Sequence, residues 1–198
     1  MSDIILDHVG KKYHNETIIE NFSYKFLQGN RYCIMGASGI GKTTLIRMIM
    51  GTEEPNSGRI IGADRYSAVF QENRLVEELT PLTNVRMVLK RGMEEQIRTE
   101  LLKVLPESCV NKKCSELSGG QKRRVAIVRA MMADSDCIVM DEPFAGLDEE
   151  SVINVMAYIT ENQNHRTLLI VTHDSEDAER LDAEICLLTS RKPLATIT

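Results

Sequence analysis

A glycine-rich stretch near the N-terminus has the residue types and the spacing of a phosphate-binding loop. Residues 35–45 read MGASGIGKTTL, and residues 36–43 fit the pattern G-x-x-x-x-G-K-T. Glycines let a backbone approach phosphate oxygens closely, and successive N–H groups then point at one anion. Lys42 would place a positive charge on the β- and γ-phosphates, and Thr43 would offer its hydroxyl to Mg²⁺. The residues predicted to contact phosphate are Gly36, Ala37, Ser38, Gly39, Ile40, Gly41, Lys42, Thr43 and Thr44.

Two adjacent carboxylates follow an apolar run in the sequence CIVMDEPF, residues 137–144. Asp141, at the end of the predicted strand, could hold magnesium through water. Glu142 could orient or deprotonate an attacking water. An Asp-Glu pair after a strand is also common in a solvated turn, but a phosphate-binding loop in the same chain favours the catalytic interpretation.

The sequence LSGGQ, residues 117–121, precedes a helical pattern. Ser-Gly-Gly at this place is typical of a helix N-cap, and a helix start is also an anion site because its N–H groups are free. A second anion site in a chain with a phosphate-binding loop suggests that one nucleotide is gripped from two sides. The cluster Lys122, Arg123 and Arg124 comes next, and we predict a solvated basic face for it.

Alternating strand and helix patterns predict an α/β fold with a parallel sheet. The predicted strands are DIILDHV, RYCIM, GRIIG, YSAVF, CIVM, TLLIV and EICLL. Residues from about 79 to 113 show no strand pattern. Two amphipathic helices, TNVRMVLKR and MEEQIRTELLKVL, are predicted there instead, as a small helical insertion.

Composition limits the remaining possibilities. The 198 residues predict one domain, and the formal net charge of −5 argues against a nucleic-acid partner. No apolar run approaches the ~18 residues of a membrane span, and no signal peptide is recognised. Of the five cysteines, Cys33, Cys137 and Cys186 lie in apolar runs and are expected in the core. These features predict a cytoplasmic protein.

Taken together, the motifs resemble those of the ATP-binding subunit of ABC transporters, and they occur in that family's order along nearly the whole chain. Besides the phosphate-binding loop, LSGGQ and CIVMDE, the resemblance rests on VFQENRL with Gln71, AGLD with Asp148, and IVTHD with His173. Tyr13 in KKYHNETII takes the place of an aromatic that stacks on adenine, although an ordinary exposed tyrosine is an alternative.

The resemblance implies a role for each matching residue. Gln71 would reach magnesium or the attacking water, and His173 would contact the γ-phosphate or hold Glu142. Ser118, Gly119, Gly120 and Gln121 would bind the ATP of a second subunit. Asp148 would shape the contact between subunits, act as a helix N-cap, or do both. The implied cofactors are ATP and Mg²⁺, with Thr43, Gln71 and Asp141 as the metal-binding residues.

The same resemblance implies a P-loop NTPase fold with a mostly parallel core sheet, an antiparallel β subdomain near the N-terminus and a small helical subdomain. A single domain would span residues 1–198, with its nucleotide-binding core in 1–78 and 114–198 and the helical subdomain in about 79–113. The ATPase would form a head-to-tail homodimer on the inner face of the cell membrane and drive an integral membrane permease, which would dock on residues 72–89. A solute-binding protein would take part indirectly. VFQENRL resembles the importer branch for nitrate and sulfonates.

Three other functions stay open at this stage. The chain could be a soluble ABC-type ATPase that performs conformational work on another partner, but it has neither a long coiled coil nor a second cassette. A P-loop kinase would leave LSGGQ and His173 unexplained. A nucleotide-binding module without activity is disfavoured because Lys42, Glu142 and His173 are all present.

Overall fold

Strands rich in β-branched and aliphatic residues build a parallel sheet at the centre of the computed structural model, which describes residues 2–14, 16–89 and 93–189. In chain order, its elements are β1 (Ile4–Tyr13), β2 (Glu16–Phe26), β3 (Arg31–Met35), α1 (Lys42–Ile49), β4 (Ser57–Ile61), β5 (Tyr66–Val69), α2 (Pro81–Arg86), α3 (Glu94–Val104), α4 (Glu107–Val110), a 3₁₀ turn (Cys114–Glu116), α5 (Gly119–Met132), β6 (Cys137–Asp141), α6 (Glu149–Asn162), β7 (Thr167–Val171), α7 (Ser175–Arg180) and β8 (Glu184–Leu187).

The parallel sheet has the strand order β5-β6-β7-β3-β8. Every residue of β6 and β7 is buried, as expected for strands with helices or another sheet on both faces. The carboxyl ends of β3, β5, β6 and β7 meet at one edge of this sheet, because their pairings are parallel. In open α/β sheets that edge is where ligands bind. The predicted parallel core sheet is confirmed.

One face of the parallel sheet is covered by α1 and by an antiparallel sheet of order β2-β1-β4. Apolar side chains from both sheets and from α1 share one core there, for example Phe26, Leu45 and Val139. The strand runs found in the sequence include β1 and β4 but omit β2, in which polar and apolar residues mix without strict alternation.

The other face of the parallel sheet packs against α5 and α6. Ile97, Leu101 and Val104 of α3 join the same core cluster as Val125 of α5 and Ile138 of β6. The three cysteines expected in the core, Cys33, Cys137 and Cys186, are buried.

The helix predicted over TNVRMVLKR is wrong in its bounds. Thr80 caps α2 through its side chain, which accepts a hydrogen bond from the Thr83 N–H, and Pro81 occupies the first helical position. The helix therefore begins before the predicted start and ends at Arg86. Residues 90 and 91 of the predicted segment lie outside the described residues.

Within residues 2–14, 16–89 and 93–189, no helix combines the length and the apolar character that crossing a bilayer requires.

Candidate nucleotide site

The phosphate-binding loop connects β3 to α1 at the carboxyl edge of the parallel sheet. Gly41 has φ 107°, a conformation that L-residues with side chains rarely adopt. A Cβ atom at Gly36 would lie 2.5 Å from the backbone oxygen of Leu188. Glycine is therefore required at Gly36 by close packing and at Gly41 by the backbone turn into α1.

Lys42 and Thr43 open α1 with both side chains near the loop. The Lys42 ammonium donates hydrogen bonds to the backbone oxygens of Gly36 at 2.8 Å and Ala37 at 3.1 Å. The Thr43 hydroxyl donates to Asp141 Oδ2 at 2.9 Å. This contact joins the loop to the end of β6.

Asp141 is the last residue of β6 and is only 4% exposed. Burial raises the pKa of its carboxyl above the ordinary value, and the nearby negative charge of Glu142 acts in the same direction, against the hydrogen bond from Thr43. Mg²⁺ prefers oxygen ligands, and a buried carboxylate beside a threonine hydroxyl offers them. The local chemistry therefore fits a magnesium ion.

Glu142 leaves the sheet in a strained conformation. Its φ is 49°, uncommon for a residue with a side chain, and its N–H donates to the Val171 backbone oxygen at 2.9 Å. Such strain persists only where the surrounding structure fixes it, and it is found preferentially at functional sites. The Glu142 Oε2 atom lies 3.0 Å from Nδ1 of His173, which follows β7.

Tyr13 is the last residue of β1 and is 41% exposed. The hydroxyl donates to the carboxylate of Glu53. Lys11 pairs with the same carboxylate at 2.9 Å and lies 5.2 Å from the centre of the Tyr13 ring. Glu53 thus fixes an accessible aromatic face, and neither Glu53 nor Lys11 stands out in the sequence.

A cavity of about 330 Å³ brings most of the predicted site residues together. The predicted residues that line it are Tyr13, Ser38, Gly39, Gly41, Lys42, Thr43, Thr44, Gln71, Asp141 and Glu142. His173 lies across Glu142 from this cavity, in a second cavity of about 580 Å³ between the loops that follow β6 and β7. Glu142 lines both cavities, and its side chain is 24% exposed.

The LSGGQ segment lies elsewhere, since none of residues 118–121, all within the described ranges, lines the 330 Å³ cavity. Ser118 is the N-cap of α5 and forms a capping box with Gln121. The Ser118 oxygen accepts from the Gln121 N–H at 3.2 Å, and Gln121 Oε1 accepts from the Ser118 N–H at 2.9 Å. Ser118 and Gly119 are exposed. The start of α5 is therefore accessible at the surface of the chain.

Asp148 is the N-cap of α6. Its carboxylate accepts from the Ser151 N–H at 2.9 Å and from the Ser151 hydroxyl at 3.0 Å. These two hydrogen bonds hold the pKa of Asp148 below its ordinary value.

The predicted solvated face at residues 122–124 is wrong for Arg123, which is only 7% exposed. Its guanidinium donates to the backbone oxygens of Phe70 and Gln71, each at 2.5 Å. Burial lowers the pKa of Arg123 from its ordinary value because water no longer solvates the charge. Arg124 is partly buried and donates to the Val104 oxygen at 2.9 Å.

Comparison with known proteins agrees with this geometry. The family model described as "ABC transporter" matches residues 19–145. The chain belongs to the ABC transporter family. The resemblance stated from the sequence motifs is thereby confirmed.

The curated relatives of this chain include the ATP-binding proteins of importers. The aliphatic sulfonates import ATP-binding protein SsuB 1 of Burkholderia cenocepacia (strain HI2424) is 35% identical over 193 residues, which cover 93% of this chain and 60% of that protein. The sulfate/thiosulfate import ATP-binding protein CysA of Synechocystis sp. is 32% identical over 208 residues, with 96% and 59% covered. The chain thus spans about three fifths of the length of these relatives.

A solved structure similar to this chain is the dimeric, post-hydrolysis state of the ATP-binding cassette MJ0796 bound to ADP and Pi. It is 28% identical with a TM-score of 0.83, and the match covers 94% of each chain. This similarity confirms the α/β fold of a P-loop NTPase.

Proposed function

We propose that this chain is the ATP-binding and ATP-hydrolysing subunit of an ABC transporter, and that ATP-driven head-to-tail dimerisation powers transport through a membrane permease. The observation that carries the proposal is the placement of Glu142. Its carboxylate lines the cavity of the phosphate-binding loop and is held 3.0 Å from His173. A base beside a phosphate cradle, oriented by a third group, supports hydrolysis rather than binding alone.

In this proposal the 330 Å³ cavity binds ATP. The backbone of residues 36–43 and the N-terminus of α1 surround the phosphates, and the Lys42 ammonium moves from the carbonyls of the loop to the β- and γ-phosphates. The adenine stacks on the Tyr13 ring, which Glu53 holds at the rim of the cavity.

We propose Thr43, Asp141 and Gln71 as the residues that hold Mg²⁺. The Thr43 and Asp141 oxygens already lie 2.9 Å apart, and Gln71 lines the same cavity. When bound, the ion would neutralise charge on the phosphates and remove the cost of the buried Asp141 carboxylate.

Glu142 would orient the attacking water and accept its proton. His173 lies within hydrogen-bond distance of Glu142 and would keep its carboxylate directed at that water. The positive φ of Glu142 turns its side chain away from the regular path of β6 toward the cavity, which supports this role.

A second chain would complete the site. Residues 118–121 do not line their own chain's cavity but include an exposed helix start, which suits the phosphates of a partner's ATP. Asp148 lies at the start of α6, near that surface, and would shape the contact between subunits. The similar cassette MJ0796 is dimeric with ADP and Pi bound, and this supports a homodimer.

The membrane permease would dock on residues 72–89. Three large apolar side chains are exposed there: Val76 at 43%, Met87 at 62% and Val88 at 43%. Together with the similarity to SsuB and CysA, this surface supports an importer ATPase on the inner face of the cell membrane, with a solute-binding protein taking part indirectly. The net charge of −5 disfavours a nucleic-acid partner.

We retain residues 1–198 as one cassette, with the core in 1–78 and 114–198 and a helical subdomain at about 79–113. The shared core of α3 with α5 and β6 supports a single unit. The second candidate function is a soluble ABC-type ATPase, for which the exposed apolar side chains within residues 72–89 could receive a different partner.

The Glu142→Gln variant tests hydrolysis directly. Glutamine keeps the size of the side chain but cannot accept a proton, so we expect ATP affinity to change little and phosphate release to fall at least about 100-fold. The measurement is phosphate released from γ-labelled ATP without an added acceptor, beside a nucleotide titration. Glu161→Gln, an exposed position at the end of α6, is the matched control. Unchanged turnover in Glu142→Gln would refute the role, and dependence on an acceptor would indicate a kinase.

A further inference from the structure

A buried arginine of α5 forms hydrogen bonds with the backbone of the segment that carries Gln71. Arg123 of α5 donates one hydrogen bond to the Phe70 oxygen and one to the Gln71 oxygen, each at 2.5 Å. Both acceptors are backbone carbonyls, so the guanidinium contacts the two consecutive peptide units on either side of the Gln71 Cα atom. A fork of two parallel donors fixes the direction of a peptide more strictly than a single donor does.

A second arginine of the same helix holds the next residues of the loop. Arg129 donates to the Arg74 oxygen at 2.8 Å and to the Asn73 oxygen at 3.1 Å. Arg74 has φ 47°, and its guanidinium stacks on the Phe70 ring at 3.7 Å from the centroid. Four of the five carbonyls in residues 70–74 thus point at α5, and the loop has one well-defined path.

The burial of Arg123 carries a cost in hydration. A guanidinium removed from water loses its solvation, and its hydrogen bonds, together with the negative charge of Asp141, partly offset that loss. Helical spacing places Arg123 on the same face of α5 as Ile127 and Ala130, both buried. An apolar residue would suit this face equally well if packing were the only requirement.

We infer that Arg123 is a positioning residue: its two hydrogen bonds set the direction of the Gln71 peptide and so aim the Gln71 side chain into the nucleotide cavity. The inference rests on the proposed role of Gln71 at the metal and the attacking water. It also means that the loop is tied to the helix that begins at Ser118, five residues before Arg123.

A double-mutant cycle tests this inference. The variants are Arg123→Gln, Gln71→Ala and the two combined, in the full chain, and the readouts are the maximal hydrolysis rate and the Mg²⁺ concentration for half-maximal rate. We expect each single change to lower the rate by about tenfold or more, the equivalent of one hydrogen bond to a charged group. The combined variant should then be no slower than Gln71→Ala alone, because Arg123 acts through Gln71.

The matched control is Arg124→Gln, which removes the adjacent guanidinium from the Val104 carbonyl and leaves the loop contacts intact. Its effect on rate, whatever its size, should be the same with Gln71 present or absent. Arg123→Lys, which keeps the charge but can reach the two carbonyls with only one ammonium, should raise the Mg²⁺ requirement by less than Arg123→Gln. If Arg123→Gln fails to fold in a thermal unfolding scan, Arg123→Lys takes its place in the cycle.

The outcomes are distinguishable. If Gln71→Ala hydrolyses ATP normally, the proposed role of Gln71 fails and the inference falls with it. If Gln71→Ala is slow but the arginine variant loses rate equally in both backgrounds, Arg123 is merely structural and the inference alone is overturned. Full activity in Arg123→Gln also overturns it. Loss confined to the background that contains Gln71, with a raised Mg²⁺ requirement, supports it.

Discussion

At the scale of single residues, the site depends on polar contacts that fix a few reactive side chains. Glu142 is fixed by His173 and by the Val171 carbonyl, and Tyr13 by Glu53. These contacts lie within the chain itself, so the side chains that we propose for catalysis and stacking are held in place by their own neighbours. Such preorganisation lowers the cost of reaching the reactive geometry.

Tyr13 gives a prediction at this scale. We expect Tyr13→Ala to weaken ATP binding by about 5- to 150-fold, the range of one aromatic–base stacking contact. Tyr13→Phe keeps the ring and should bind ATP nearly normally. Inorganic tripolyphosphate, which has no base, should bind both variants and the wild type alike. The measurement is isothermal titration of each ligand; an equal loss of tripolyphosphate affinity in Tyr13→Ala would contradict stacking.

The sequence predicts candidate site residues best where the proposed chemistry demands one amino-acid type. Lys42, Asp141 and Glu142 were predicted because a glycine-rich loop ending in Lys-Thr and a carboxylate pair at a strand end are together typical of nucleotide hydrolysis. Arg123 was missed because a Lys-Arg-Arg run has the same composition whether it is solvated or buried. A signal was present: positions three, four and seven after Arg123 are Ala126, Ile127 and Ala130, all apolar.

At the scale of elements, α5 begins at the segment that we assign to a partner's ATP. Ser118 is the N-cap of α5, and we propose that it also contacts the phosphates of a partner's ATP; different substitutions separate these two roles. Ser118→Ala should lower the free energy of unfolding by about 1 kcal/mol, the usual cost of a lost N-cap. Ser118→Asp keeps a good cap, so its stability should match that of the wild type, but its negative charge should repel phosphate and abolish hydrolysis. Urea unfolding and phosphate release measure the two effects; an active Ser118→Asp variant would exclude the phosphate contact.

The starts of β5 and β6 are joined by an ion pair that predicts a pH dependence. Arg65 lies 3.1 Å from Asp136, and its hydrogen bond holds the pKa of that carboxyl below the ordinary value of 3.8. A lowered folded-state pKa contributes stability that is complete above the unfolded value and is lost as pH falls through the folded value. Unfolding free energies measured in urea at stepwise lower pH should therefore decline less steeply in Asp136→Asn than in the wild type. Parallel declines would show that the pair does not contribute.

A predicted strand or helix matches the structure closely where its sequence pattern is clear, and poorly where the pattern is mixed. RYCIM and TLLIV coincide with β3 and β7, because buried parallel strands are continuous apolar runs. The strand β2 was missed because its ETIIENFSYKF sequence is mostly polar and contains Asn21 at φ 50°. The predicted start of α2, at Thr83, lies too late in the chain because the prediction rests on the amphipathic pattern alone. Thr80 as the cap and Pro81 as the first helical residue set the actual start.

At the scale of the whole molecule, the two proposed parts of the nucleotide site do not line one cavity within a single chain. The cavity of the phosphate-binding loop contains Lys42 and Glu142, and Ser118 lies outside it. The family resemblance implies this separation, because it assigns residues 118–121 to the ATP of a second subunit. Composition and spacing alone do not, since the separation depends on how the parallel sheet directs its loops. A head-to-tail pair of chains would bring each Ser118 to the other chain's cavity, and the symmetry of a dimer would create two equal sites.

Complementation between two inactive variants tests this arrangement. Lys42→Ala disables a cavity and Ser118→Asp disables a helix start, so each homodimer should be inactive. A mixed dimer has one site in which the intact cavity of one chain meets the intact Ser118 of the other. If chains pair at random and the sites act independently, an equal mixture should recover about a quarter of wild-type hydrolysis. Co-expression with two different tags and purification through both would isolate the mixed dimer, which should recover about half.

The control pairs Lys42→Ala with Glu142→Gln. Lys42 and Glu142 line the same cavity of one chain, so every site in that mixed dimer keeps at least one defect, and no activity should return. Recovery in this control would mean that Glu142 acts across the interface. If the two sites act independently and the Lys42→Ala and Ser118→Asp pair stays inactive although the doubly tagged dimer binds ATP, then Ser118 does not serve a partner's cavity, because this proposal gives the mixed dimer one complete site.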